Sequence, residues 1–125
     1  MILLLDAHVV LWALADPDAL SDPARNAIAD PGNDAVVSAA TIWEIEIKRA
    51  LGKLRAPDDL LGATESMAVH VLPILGVDAV RAARLQPHHR DPFDRMLLAQ
   101  AQRLDAVIIT RDAVFGAYGA IVLPA

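Results

Sequence analysis

Four carboxylates in this chain, Asp6, Glu44, Asp94 and Asp112, stand where one regular element gives way to the next. Taken singly, each has an ordinary use. Asp6 and Asp112 suit helix N-caps, Glu44 suits a capping box opened by Thr41, and Asp94 suits a first helical turn. Gathered on one rim they would repel one another and require a cation. Hard oxygen ligands, with no cysteine in the chain, select Mg²⁺ or Mn²⁺ over zinc. A site of that kind suits metal-assisted hydrolysis of a phosphodiester.

The elements that must bring these acids together follow from the apolar pattern. Ile2 to Leu5 is a short continuous apolar run, as expected of a parallel strand buried on both faces. Ala35 to Ser38, Val71 to Ile74, Ala106 to Thr110 and Ala120 to Leu123 read as further strands, with Pro73 pointing to an edge. Helices are expected over Ala7 to Ala15, from Ser21 onwards, from Thr41 to about Leu51, from Pro57 to about Val69, and over Asp78 to Leu85. The stretch HRDPFDRMLLAQA, from His89 to Ala101, opens another. There Asp91 is a good cap, Pro92 suits the first helical position, and Asp94 falls on the first turn. Alternating strands and helices imply an α/β fold in three layers (α/β/α), with a central, mostly parallel sheet of about five strands. Such sheets bind ligands beyond the carboxyl ends of their strands, where all four acids fall.

At 125 residues, 55% of them hydrophobic, the chain reads as one compact domain over residues 1–125. No apolar run approaches membrane-spanning length, and the acid at position 6 interrupts any resemblance of the start to a signal peptide. The absence of cysteine fits a reducing compartment. A net charge of −5 argues against a protein that coats nucleic acid generally. Local basic clusters remain, among them Lys48, Arg49, Lys53 and Arg55, and Arg81 to Arg95. Of these, Lys48, Arg49, Lys53 and Arg95 are candidates to hold a nucleic-acid backbone near the site. His88 and His89, adjacent in a loop, would point apart and read as surface or partner-facing. His8 would either face the crevice or pack, and Trp12 and Trp43 read as core.

In order and spacing, LLLDAHVVLWAL, SAATIWEIEIKRALGKL, HRDPFDRMLLAQA and IITRD resemble the PIN-domain ribonucleases of the VapC toxin type, over essentially the whole chain. The resemblance implies that the family's acids fall on Asp6, Glu44, Asp94 and Asp112, with Ser38 and Thr110 as supporting polar residues. It implies a Mg²⁺- or Mn²⁺-dependent endoribonuclease in the cytoplasm, restrained by a cognate VapB-type antitoxin and commonly homodimeric. Many relatives carry Thr where this chain has Ala7, which removes one hydroxyl and leaves the acid set intact. Two other readings stay open. One is a phosphotransferase or phosphatase with Asp6 as nucleophile, although the second acid such enzymes favour two residues on is here His8. The other is a non-catalytic PIN-fold or receiver-like interaction module.

Overall fold

In the computed structural model, which describes residues 1–125, five strands form one sheet. They are β1 (Ile2–Leu5), β2 (Asp34–Ser38), β3 (His70–Leu72), β4 (Val107–Thr110) and β5 (Val122–Pro124), in the order β3-β2-β1-β4-β5. Every pairing is parallel, so the sheet is wholly and not just mostly so. The central strand β1 sets Leu4 opposite Val36 of β2 and Ile108 of β4. β3, which Pro73 follows, lies at an edge.

Six helices complete the layers: α1 (Ala7–Ala15), α2 (Asp22–Ala29), α3 (Ala39–Ala50), α4 (Leu60–Ser66), α5 (Gly76–Arg84) and α6 (Pro92–Leu104). Short 3-10 turns cover Pro17–Ala19 and Ala113–Tyr118. Side chains of a strand alternate between faces, and β1 uses both. Leu3 and Leu5 pack with Val9, Ala24, Ile45 and Leu60 on one side, while Leu4 packs with Leu97, Leu98 and Phe115 on the other. Each such fully buried leucine contributes about 2 kcal/mol of apolar transfer. Asp78 of α5 is buried against α6, with its two carboxylate oxygens 2.6 and 3.0 Å from the guanidinium of Arg103. That guanidinium holds the carboxyl below the usual range. No helix is long and apolar enough to cross a membrane.

Several local expectations are corrected. α3 starts before Thr41: Ser38 is its cap, accepting from the Ala40 N–H at 3.0 Å, so the Thr41–Glu44 capping box does not form. α4 starts at Leu60 and not near Pro57, because Asp59 supplies the cap, accepting from the Gly62 N–H at 3.0 Å. α5 begins at Gly76 because Asp78 accepts from the Leu75 N–H and closes the first turn. Trp43 is not core. α3 turns Ala40, Thr41, Glu44 and Ile45 inward, which leaves Trp43 63% exposed, with its ring 5.6 Å from that of Phe93 in an edge-to-face contact.

Candidate active site

The carboxyl ends of β1 and β4, neighbours in the sheet, open onto a cavity of about 320 Å³. Asp6, Glu44, Asp91, Asp94 and Asp112 all line it, with His8, Trp12, Lys48, Arg111 and Phe115. The four acids singled out from the sequence therefore share one space, and Asp91 joins them.

Each acid is aimed by its own element. Asp6 ends β1 and caps α1: its Oδ1 accepts from the Val9 N–H at 3.0 Å. Its Oδ2 accepts from the hydroxyl of Thr110, at the end of β4. The same Thr110 oxygen accepts from the Asp112 N–H at 3.0 Å, so one hydroxyl ties both acids to β4. Asp112 caps the Ala113–Tyr118 turn, accepting from the Val114 N–H at 3.0 Å. Asp91 caps α6 through the N–H groups of Phe93 and Asp94, at 2.8 and 3.3 Å. Glu44, buried on α3, is reached by Lys48 one turn later, at 2.7 Å. Ser38 is buried at the start of α3, where it supports that helix from outside the cavity.

Charge is concentrated here, with Glu44 buried and Asp94 largely shielded from solvent. Burial raises the pKa of Asp6, although the bonds from Thr110 and Val9 pull it back. Asp94 is pushed up to about 6, first by burial and then by the negative charge of Asp91. The Glu44 carboxylate raises the pKa of Lys48 in turn. Packed carboxylates of this kind favour a cation, and the donor set, mostly carboxylate oxygen, fits Mg²⁺ or Mn²⁺. Asp94, Asp112 and His89 bring ligand-type atoms within 4.8 Å of one another, and Asp6 and Glu44 line the same cavity.

The proposed backbone contacts divide. Lys48 lines the cavity, whereas Arg49 is turned to Glu46 and Asp58. Lys53 is exposed beyond the end of α3 and outside the cavity. Arg95 is not a free cation. Its guanidinium donates to the carbonyls of Ala82, Ala83, Leu85, Gln86 and His89. A guanidinium has five N–H groups, so all of them are used and none remains for a phosphate.

One residue that lines the cavity, and one that touches its acids, are placed otherwise than the sequence suggests. Arg111, between Thr110 and Asp112, lies over the ring of Trp12, with Cζ 4.0 Å from the centroid. His8 lies against the same indole, the ring centroids 5.6 Å apart and the planes tilted by 34°. The position of Arg111 beside the last acid was the available signal. His89 is no surface residue: its Nε2 lies 2.6 Å from Asp94 Oδ2 and 3.4 Å from Asp112 Oδ2. His88 does point away, its ring edge-to-face with Tyr118 at 5.1 Å.

Comparison with known proteins agrees with this architecture. Among solved structures the chain resembles DNA-bound VapBC from Salmonella typhimurium, with a TM-score of 0.71 and 16% identity over 99% of this chain and 98% of that one. It resembles VapBC2 from Rickettsia felis, bound to a promoter DNA fragment, with a TM-score of 0.70 and 12% identity over the same shares. VapBC-1 from nontypeable Haemophilus influenzae gives 0.65 and 18%, again over 99% and 98%. No curated protein sequence matches the chain. The family profile described as PIN domain matches residues 3–121, and the chain belongs to the PIN domain family.

Proposed function

We propose that this PIN domain is the toxin of a toxin–antitoxin pair, an endoribonuclease that uses Mg²⁺ or Mn²⁺. The observation that carries the reading is the convergence of Asp6, Glu44, Asp94 and Asp112 on one cavity at the strand ends. When bound, the metal acidifies a water molecule and offsets the charge that grows on the phosphate. Asp6 and Asp94 are the principal holders, with Glu44 and Asp112 completing the set. Glu44 or Asp112 orients the attacking water and takes its proton. A P–O bond forms to the water oxygen, the bond to the 3′-oxygen breaks, that oxygen takes a proton from solvent to become a hydroxyl, and the other product keeps a 5′-phosphate. No ribose 2′-OH takes part, so preference for RNA falls to the surface around the cavity. Lys48 suits a phosphate there, and the Trp12 indole flanked by Arg111 and His8 suits an unpaired base.

A VapB-type antitoxin is the proposed inhibitor, a reading supported by solved neighbours that are VapBC assemblies. The protein would act in the cytoplasm, where its RNA substrates are. The exposed Leu75, Val77 and Val80 at the start of α5 support a homodimer.

Induced expression of the native chain and of Asp94→Asn, with sequencing of RNA 5′-phosphate ends, tests the reading. New cleavage sites are expected with the native chain alone. A native chain that binds Mn²⁺ and cuts no RNA would favour an interaction module instead.

A further inference from the structure

The segment that carries His89 is held on two sides. Arg95 gathers the carbonyls of residues 82, 83, 85, 86 and 89 around one guanidinium. From the other side the Tyr118 hydroxyl donates to the Gln86 carbonyl at 2.6 Å and accepts from the His89 N–H at 2.7 Å. The imidazole then meets the buried Phe115 ring edge-to-face at 6.2 Å.

The ring's chemistry follows from its hydrogen bonds. Nδ1 accepts from the Asp91 N–H at 3.3 Å, so in the neutral ring the proton is on Nε2. A protonated nitrogen cannot ligate a metal, but it can donate. Nε2, Asp94 and Asp112 present ligand-type atoms within 4.8 Å of one another, with Nε2 nearest Asp94 Oδ2. Asp6 and Asp112 are oriented by backbone N–H groups of Val9 and Val114. Asp94 has His89.

We propose that His89 is a positioning residue whose Nε2–H holds one oxygen of Asp94, draws Asp112 to the same point, and leaves the other Asp94 oxygen to face a divalent cation. The proposal rests on the metal-dependent reading of the cavity given above. Partners of this outer kind tune metal affinity by about 10–100-fold.

The test is calorimetric titration of the purified, metal-free full chain with MnCl₂, without RNA. His89→Ala is expected to raise the Mn²⁺ Kd by about 10–100-fold. His89→Gln, whose side-chain N–H reaches the same carboxylate, is expected to recover most of that loss, and thermal melts confirm that both variants fold. An alanine variant that binds Mn²⁺ as tightly as the native chain, or more tightly, overturns the proposal. So does a glutamine variant as weak as alanine. Mn²⁺ binding that depends on His89 in a chain that cuts no RNA would refute the ribonuclease reading alone, while a native chain that binds no Mn²⁺ refutes both.

Discussion

Thr110 and Asp6, 104 positions apart in sequence, share a hydrogen bond in which the threonine hydroxyl donates to the carboxylate. The same oxygen receives the N–H of Asp112, so one hydroxyl links the two acids. Thr110→Val keeps the shape of the β4 end and removes that link. The variant is expected to lose about 1–2 kcal/mol of stability and roughly tenfold in RNA cleavage, as a half-buried carboxylate and an amide both lose a partner. Thr110→Ser should stay close to the native chain. Melting curves and cleavage rates of the two variants check this.

Asp94 sets a pH dependence. Its pKa in the folded chain is about 6, above the ordinary 3.8. The fold therefore favours the protonated acid, and that contribution is present at low pH and lost as pH rises through about 6. In metal-free buffer Asp94→Asn should be more stable than the native chain at pH 8, by roughly 1 kcal/mol or about 4 °C in Tm once screening by water is allowed for. The margin should vanish towards pH 4. Adding Mn²⁺ should raise the native Tm more than that of the variant. A margin equal at both pH values would remove burial of the charge as its cause.

Arg95 predicts an unusual intolerance of lysine. A lysine has three donors at one point, not five in a fork, so it cannot span the five carbonyls. Arg95→Lys is expected to lose about 2 kcal/mol, and Arg95→Ala more, as carbonyls are left without donors. Hydrogen exchange should quicken in residues 85–91 in both. Retained protection there in Arg95→Lys would mean that the loop is held by Tyr118 alone.

The apolar start of α5 predicts the assembly state. Val80 is 50% exposed and Val77 62%, so a charge at either costs the folded monomer little. Val80→Glu should convert a dimer to a folded monomer by light scattering at micromolar concentration. A variant that remains dimeric places the interface elsewhere.

Much of the framework was legible from residue types. The run Ile2–Leu5 reads as a buried strand and is one, and Ser21 and Asp91 are caps where their helices begin. The shared rim of the acids followed from the parallel topology, since strand ends in such a sheet face one way. What escaped was decided by contacts distant in sequence. Two cap-competent residues, Ser38 and Thr41, compete for the start of α3. Ser38 is the cap used, and that frees Glu44 for the cavity. His89 has no periodic relation to the acids; its place depends on Arg95 six residues on and Tyr118 a further 23 beyond that. Arg95 looked like a free cation because a one-dimensional reading cannot see carbonyls converge.

The sheet order also bears on synthesis. β1 is made first but lies between β2 and β4, so half of its hydrogen-bonding edge waits for residues 107–110. A nascent chain that ends before β4 already carries Asp6, Glu44 and Asp94, yet lacks the strand that places Asp112 and Thr110 beside them. Long-range parallel pairing of this kind forms late. The rim of acids is therefore complete only once residues 107–112 have been made and paired with β1.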